Sequence, residues 1–204
     1  MSGTELTALL LFCTAMTFSP GPNTTLSTAL AANHGLKRAW RFCLAVATGW
    51  TILMLACGLG LGALVTGVPP LHWAVKLGGV TYLLWLAYKL RSAAQMTHVD
   101  IERLTVSFSQ GVGLQVLNIK AWVLALTLTV GWVMNAAGQP TANPGQRLGL
   151  VCVVLVTFAF TSNFTYALVG SLLRQWLAQG ARLLWFNRAL ALMLVLTAAW
   201  MLTV

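Results

Sequence analysis

An apolar run that begins near Leu6 and resumes to Ala32 is interrupted at its middle by Ser19-Pro20-Gly21-Pro22-Asn23. Each proline removes an N–H donor and clashes with the preceding turn, and Gly21 between them adds backbone freedom. No helix passes through such a stretch intact. In lipid the released carbonyls are costly, so a break of this kind belongs where it is buried in protein or lines a wet cavity. Asn23, Thr24 and Thr25 follow at once, with side chains able to cap a second half-helix. The N-terminus of that half-helix carries partial positive charge and free N–H groups, which suit a carboxylate. A plain proline kink, or a loop between two short buried helices, is the simpler alternative. Two prolines and an asparagine within one span favour a functional break in a polar cavity.

Composition fixes the setting of that break. Of 204 residues, 58% are hydrophobic and only 7% charged, more apolar surface than a soluble domain of this size hides. The expected fold class is therefore an all-α integral membrane protein. The formal charge of +9 would suit nucleic acid, but the cations fall between apolar spans rather than on a polar domain. Nucleic acid is excluded as a partner on that ground. The N-terminus has Glu5 as its only charged side chain and no basic leader, so no cleaved signal peptide is expected. Cys13, Cys43, Cys57 and Cys152 are scattered through apolar stretches without C-x-x-C spacing and read as small buried hydrophobes. The sequons at Asn23 and Asn163 lie within spans and are chance matches. No metal set or cofactor is expected.

Six spans are expected, at about 4–33, 42–66, 71–90, 108–134, 147–173 and 183–204, forming one transporter domain over 1–204. The second is rich in small residues, with Ala45 and Gly49, then Gly58 and Gly62, four apart, a spacing that lets helices approach closely in lipid. Lys76 and Lys89 near the ends of the third can snorkel as anchors. Residues 91–107 are the most polar segment, with Asp100, Glu102 and Arg103, and read as a loop with an interfacial turn. The fourth span carries Gln115, Asn118 and Lys120 in its first half. The fifth carries Thr161, Ser162, Asn163, Thr165 and Tyr166, a broad polar stripe.

The charges also set a direction. Nine of the twelve Lys and Arg residues lie in the turns after spans one, three and five, whereas Lys76 and Arg147 lie on the other side and Lys120 within a span. Both termini are thus expected outside a bacterial inner membrane and the basic turns in the cytoplasm. Six spans divide into two sets of three, about 1–92 and 108–204, joined by a cytoplasmic loop at 92–107. An odd number per half makes the second half run inverted to the first. Asn118-Ile119-Lys120 in span four then corresponds to the proline break in span one. Interrupted helices at matching positions of inverted halves point to the midplane site of a secondary transporter.

These residues carry a resemblance. Thr17-Phe18-Ser19-Pro20-Gly21-Pro22-Asn23 resembles the first-helix signature of the LysE/RhtB amino-acid exporters. So do Gly78-Gly79-Val80-Thr81-Tyr82-Leu83-Leu84-Trp85-Leu86-Ala87-Tyr88-Lys89, Leu117-Asn118-Ile119-Lys120-Ala121, and Asn187-Arg188 at the start of the last helix. The likeness spans about 6–204. The common family form of the third motif is Asn-Pro-Lys, and Ile119 stands here in place of its proline. That version, with Gln115 just before it, the polar residues of span five, His34-Gly35 and Trp85, is similar to the branch exporting cysteine and O-acetylserine. Many members carry an acidic or histidine residue in span two, where this chain has Gly49-Trp50-Thr51. The resemblance implies export of small neutral amino acids, driven by the proton gradient as an antiporter, and no enzymatic activity.

An α-amino acid needs donors for its carboxylate and acceptors for its ammonium. The half-helix start at Gly21-Pro22 and Lys120 suit the carboxylate. Asn23, Thr24, Asn118, Asn163 and the carbonyls around Ser19 and Pro20 suit the ammonium, and Gln115 and Tyr166 complete the set of candidates for substrate binding. No span holds an acidic residue to relay a proton. A desolvated Lys120 could release its proton and couple substrate to protons, while snorkelling to the cytoplasmic face is its simpler role. For Tyr166 and Trp50, packing or interface anchoring is the preferred role. The expected partners are the bilayer and a small amino acid, with a homodimer left open. Two other classes compete: a membrane thiol–disulfide carrier, which needs cysteines placed to pair at the breaks, and a channel or non-transporting partner subunit.

Overall fold

The computed structural model describes residues 1–92, 106–134 and 140–203, and these are almost entirely helical. The chain runs through α1 (Gly3–Phe18), α2 (Pro22–His34), α3 (Leu36–Gly58), α4 (Leu61–Gly67) and α5 (Pro69–Ser92). It continues through α6 (Phe108–Val116), α7 (Ile119–Trp132), α8 (Pro144–Leu177) and α9 (Arg182–Thr203). The polar segment with Asp100, Glu102 and Arg103 lies outside the described residues, as does the 135–139 part of the next expected loop.

Among the described residues α3, α8 and α9 are long and apolar enough to cross a bilayer, and α6 with α7 makes a fourth candidate if that bent pair is one span. The remaining expected spans are interrupted or charged. α1 is a shorter apolar helix, and α2 begins with Pro-Asn-Thr-Thr, of which it buries both threonines. α5 carries Lys76 and Lys89 within its length.

The second expected span is divided. α3 stops at Gly58 and α4 starts after Gly60, whose φ of +88° is left-handed backbone that suits glycine. The basic turn expected at 34–41 is shorter than its sequence suggests. Gly35 alone separates α2 from α3, so Lys37, Arg38 and Arg41 stand on the first turns of α3.

Each broken helix packs against a long helix from the other end of the chain: α2 most against α8, and α6 against α3, while α3 also packs on α8. α5 and α9 form a second pair. Small residues make the close approaches. Gly170 of α8 lies against the Thr28 carbonyl of α2, and Gly79 of α5 against the Leu117 carbonyl, each too near to admit a Cβ. These contacts let backbones meet where side chains would hold them apart.

Polar groups join distant parts of this bundle. Asn33 at the end of α2 and Asn187 on α9 exchange hydrogen bonds of 2.9 and 3.0 Å and are buried. At the opposite end of the bundle Glu5 caps α1 through Ser2 and pairs with Arg147 of α8 at 3.0 Å, while its carbonyl accepts from the Trp132 indole. Arg147, counted above among the outer-side cations, is therefore part of a clasp on α1.

Candidate functional site

Three carbonyls at the end of α1 lose their helical partners to the proline break. Pro20 and Pro22 have no N–H to offer Met16 and Phe18, and the Gly21 N–H donates instead to Thr24 Oγ1 at 2.9 Å. All three are satisfied by hydroxyls. Ser19 Oγ donates to the Met16 carbonyl (2.9 Å), Ser162 Oγ to that of Thr17 (2.7 Å), and Tyr166 Oη to that of Phe18 (3.0 Å). The last two come from α8. The break is thus held open by side chains of another helix, as the rule that buried backbone groups find partners requires.

α2 begins at N-cap Gly21, with Pro22 in its first turn and no side-chain hydrogen bond capping it. Thr24 turns back to the Gly21 backbone, and Asn23 points to α6. The N–H groups of the first turn therefore remain available at the helix end.

The second break forms without a proline. α6 and α7 meet at 65°. Leu117 closes α6 and Asn118 adopts extended backbone as N-cap of α7, again with no side-chain cap. The Trp122 indole donates to the carbonyl of Val116 at 2.7 Å, the same remedy that α8 supplies at the first break. The expected interruption of span four is present with Ile119 where the family motif has proline.

The two breaks face each other across a small cavity of about 60 Å³, room for a few waters. Eight of the eleven candidates line it: Ser19, Gly21, Pro22, Asn23, Thr24, Asn118, Lys120 and Asn163. Trp50, read above as packing, also lines it, and is buried. Met16, Thr17, Ala121, Leu124 and Ala159 complete the wall. These have no polar side-chain signature beyond Thr17, and only helical adjacency to the motif residues could have singled them out.

The remaining candidates lie close by. Pro20 borders an adjoining groove of about 270 Å³ that shares Gly21 and Lys120 with the cavity. Gln115 stands behind Asn23, the two side-chain amides exchanging hydrogen bonds of 2.9 Å in each direction. Gly49 makes the space for Gln115, since a Cβ there would meet its side chain. Tyr166 is spent on Phe18.

Most of the polar groups expected to meet an ammonium already have partners. Asn163 accepts from Ser27 Oγ at 2.9 Å and donates to the Ala159 carbonyl at 2.8 Å. Thr24 is tied to Gly21. The carbonyls before Ser19 carry the hydroxyls described above. Asn118 differs: its Oδ1 is buried without a hydrogen-bond partner. Lys120 is half-buried with its ammonium 5.2 Å from the centre of the Trp200 ring, a cation–π contact rather than an ion pair.

The broad polar stripe expected on α8 is two faces. Ser162, Asn163 and Tyr166 turn inward, whereas Thr161 and Thr165 are exposed and bond carbonyls one turn back in their own helix. The four cysteines are buried and unpaired. Among the described residues no group of three or more His, Cys, Asp or Glu side chains could hold a metal ion.

The family model described as LysE type translocator matches residues 14–203. The chain is 26% identical over 193 residues to the cysteine/O-acetylserine efflux protein of Salmonella typhi, covering 95% of both chains. It is 25% identical over 198 residues to the homoserine/homoserine lactone efflux protein of the same organism, covering 94% of this chain and 93% of that one. A shorter match, 35% over 71 residues, links it to the leucine efflux protein of Enterobacter sp. (strain 638), covering 35% of this chain and 34% of that one. No solved structure matches the chain.

Proposed function

The chain belongs to the LysE type translocator family, and on that premise we propose that it exports small neutral amino acids of the cysteine and O-acetylserine kind from the cytoplasm. One observation carries this reading: two uncapped helix N-termini, those of α2 and α7, converge on one small cavity lined also by Lys120 and by Asn118, whose Oδ1 is buried without a partner. Two dipole ends and an ammonium favour an anion. A buried acceptor with no donor favours a cationic N–H group, because leaving it unmade costs about 1–3 kcal/mol. A zwitterionic α-amino acid brings both charges at the required close spacing.

The roles divide accordingly. The N–H groups after Gly21 and the Lys120 ammonium bind the carboxylate; Asn118 Oδ1 accepts from the substrate ammonium. Asn23, Gln115, Asn163 and Tyr166 act by holding the walls. The small volume and the apolar Met16, Leu124 and Trp50 favour a short side chain.

The architecture belongs to the same proposal. Six spans in two inverted sets of three, 1–92 and 108–204, account for the crossed packing in which each broken helix lies on the long helix of the other half. The basic turns face the cytoplasm of a bacterial cell and both termini lie outside. Transport runs as antiport against protons. A homodimer is compatible with this arrangement.

The test is export itself. Cells that overproduce the protein accumulate external cysteine or O-acetylserine and tolerate a toxic excess of either, and purified protein in vesicles moves the same compound against its gradient. Export only of large basic amino acids, or of no amino acid, overturns the assignment.

A further inference from the structure

α5 and α9 leave a groove of about 540 Å³ between them, lined by none of the residues that line the cavity. Each helix supplies residues three and four apart, so one face of each lines it. From α5 come Leu84, Ala87 and, at the last turn, Arg91; from α9 come Arg188, near its first turn, then Leu192 and Val195. The pattern runs in opposite senses along the two helices, which puts both guanidiniums at one end and the aliphatic side chains at the other. Seven residues of helix separate Arg91 from Leu84, and Arg188 from Val195, so the apolar part is about 10 Å deep.

Among the described residues nothing neutralises the guanidiniums. Neither Arg91 nor Arg188 has an acidic partner among the described residues, and Arg188 Nε is buried without an acceptor while its guanidinium rests 5.1 Å from the Trp185 ring. A buried donor without an acceptor is a costly arrangement unless something outside the chain supplies one. The aliphatic end is open, with Leu192 58% and Leu84 44% exposed.

We propose that this groove binds one anionic phospholipid, its phosphate on Arg91 and Arg188 and an acyl chain along Leu84, Leu192 and Val195. The charge and the apolar run match the two parts of that molecule in order, and basic pockets between membrane helices recognise anionic headgroups by the same chemistry. Both arginines lie at the helix ends that flank the basic turns, on the side where the charge distribution sets the cytoplasmic leaflet. The site is separate from the transport cavity and does not depend on the substrate read there.

Native mass spectrometry of the purified full-length protein, incubated with phosphatidylglycerol or with phosphatidylcholine, reads this directly. The wild-type protein retains phosphatidylglycerol about 30-fold better than phosphatidylcholine, the gain expected from about 1 kcal/mol per guanidinium. Arg91→Gln/Arg188→Gln removes that preference, and Arg182→Gln, a nearby cation outside the groove, keeps it. Val195→Trp fills the groove with both charges in place and also releases the lipid, which keeps the test decisive if the double variant does not fold. Equal retention of the two lipids overturns the proposal, as does binding untouched by Val195→Trp. Displacement by glycerol 3-phosphate as efficient as by the lipid, or a Leu192→Cys variant that cross-links to a second copy, overturns it too.

Discussion

Asn23 and Gln115, 92 residues apart in the chain, face each other amide to amide and exchange two hydrogen bonds of 2.9 Å. This pair is a direct polar link between the broken α1–α2 segment and α6. Replacing one partner with Leu leaves the other amide partly buried and unpaired, at a cost of about 1–3 kcal/mol. Thermal unfolding of Asn23→Leu, Gln115→Leu and the double variant in detergent checks this. The double variant is expected to lose clearly less than the two singles added together, and strict additivity would show that the bonds are not energetically coupled.

The prolines and the hydroxyls on α8 make opposite demands. Pro20→Ala/Pro22→Ala restores N–H groups able to continue α1 into α2, so the protein is expected to insert at normal levels and to lose vesicle flux. Tyr166→Phe only removes the partner of the Phe18 carbonyl and is expected to cost about 1 kcal/mol of stability with transport retained in part. Wild-type flux from the proline variant at matched protein level would falsify the functional reading of the break.

Lys120→Gln keeps length and hydrogen bonding and removes the charge. A lysine that meets the carboxylate is expected to lose transport, or to show a changed pH profile of flux, on this change. A snorkelling anchor tolerates it with lower abundance. Vesicle flux across a pH series separates the two, and an unchanged profile at full activity removes Lys120 from the mechanism.

Gly79→Ala places a methyl against the Leu117 carbonyl, a backbone atom at the second break that cannot move aside as a side chain tip does. The expected loss is about 1–3 kcal/mol. Gly131, with nothing within 4 Å of an added Cβ, serves as the control, and Gly131→Ala is expected to leave the melting temperature unchanged or slightly raised.

The nine-to-two division of loop cations makes a topological prediction. A reporter active only outside the membrane is expected to work when fused after Val204 and to be silent when inserted at 97–102. The reverse pattern contradicts the orientation, and reporters that behave alike at the two sites contradict the inverted halves.

The first break was legible because proline acts through its own covalent structure: no tertiary context returns the N–H that Pro20 and Pro22 lack. The second was half legible. Asn118 and Lys120 marked its position, but with Ile119 in the motif the bend depends on backbone turned at Leu117 and Asn118 and steadied by Trp122, an arrangement that leaves no local signature. Six of the eight lining candidates came from motif residues on short segments, whereas the pairings did not. Gln115 and Tyr166 look like ligand groups until their partners are known, and those partners stand 92 and 148 residues away. The division of span two at Gly60 was hidden for a related reason, since glycines on a small-residue helix read equally well as packing surface.

The two amide pairs on α2 give that helix mechanical leverage. Asn33 is fastened to the fully buried Asn187, while Asn23 at the other end is fastened beside the cavity. Ten residues of helix between them make an arm of about 15 Å. A pivot of about 10° at the Asn33 end carries Asn23 through about 2.5 Å, enough to take its hydrogen bonds to Gln115 well past their limit. A small tilt at one end of the helix is thus an all-or-none release at the other. For such a tilt the buried far fastening would be the fulcrum and the near one the latch.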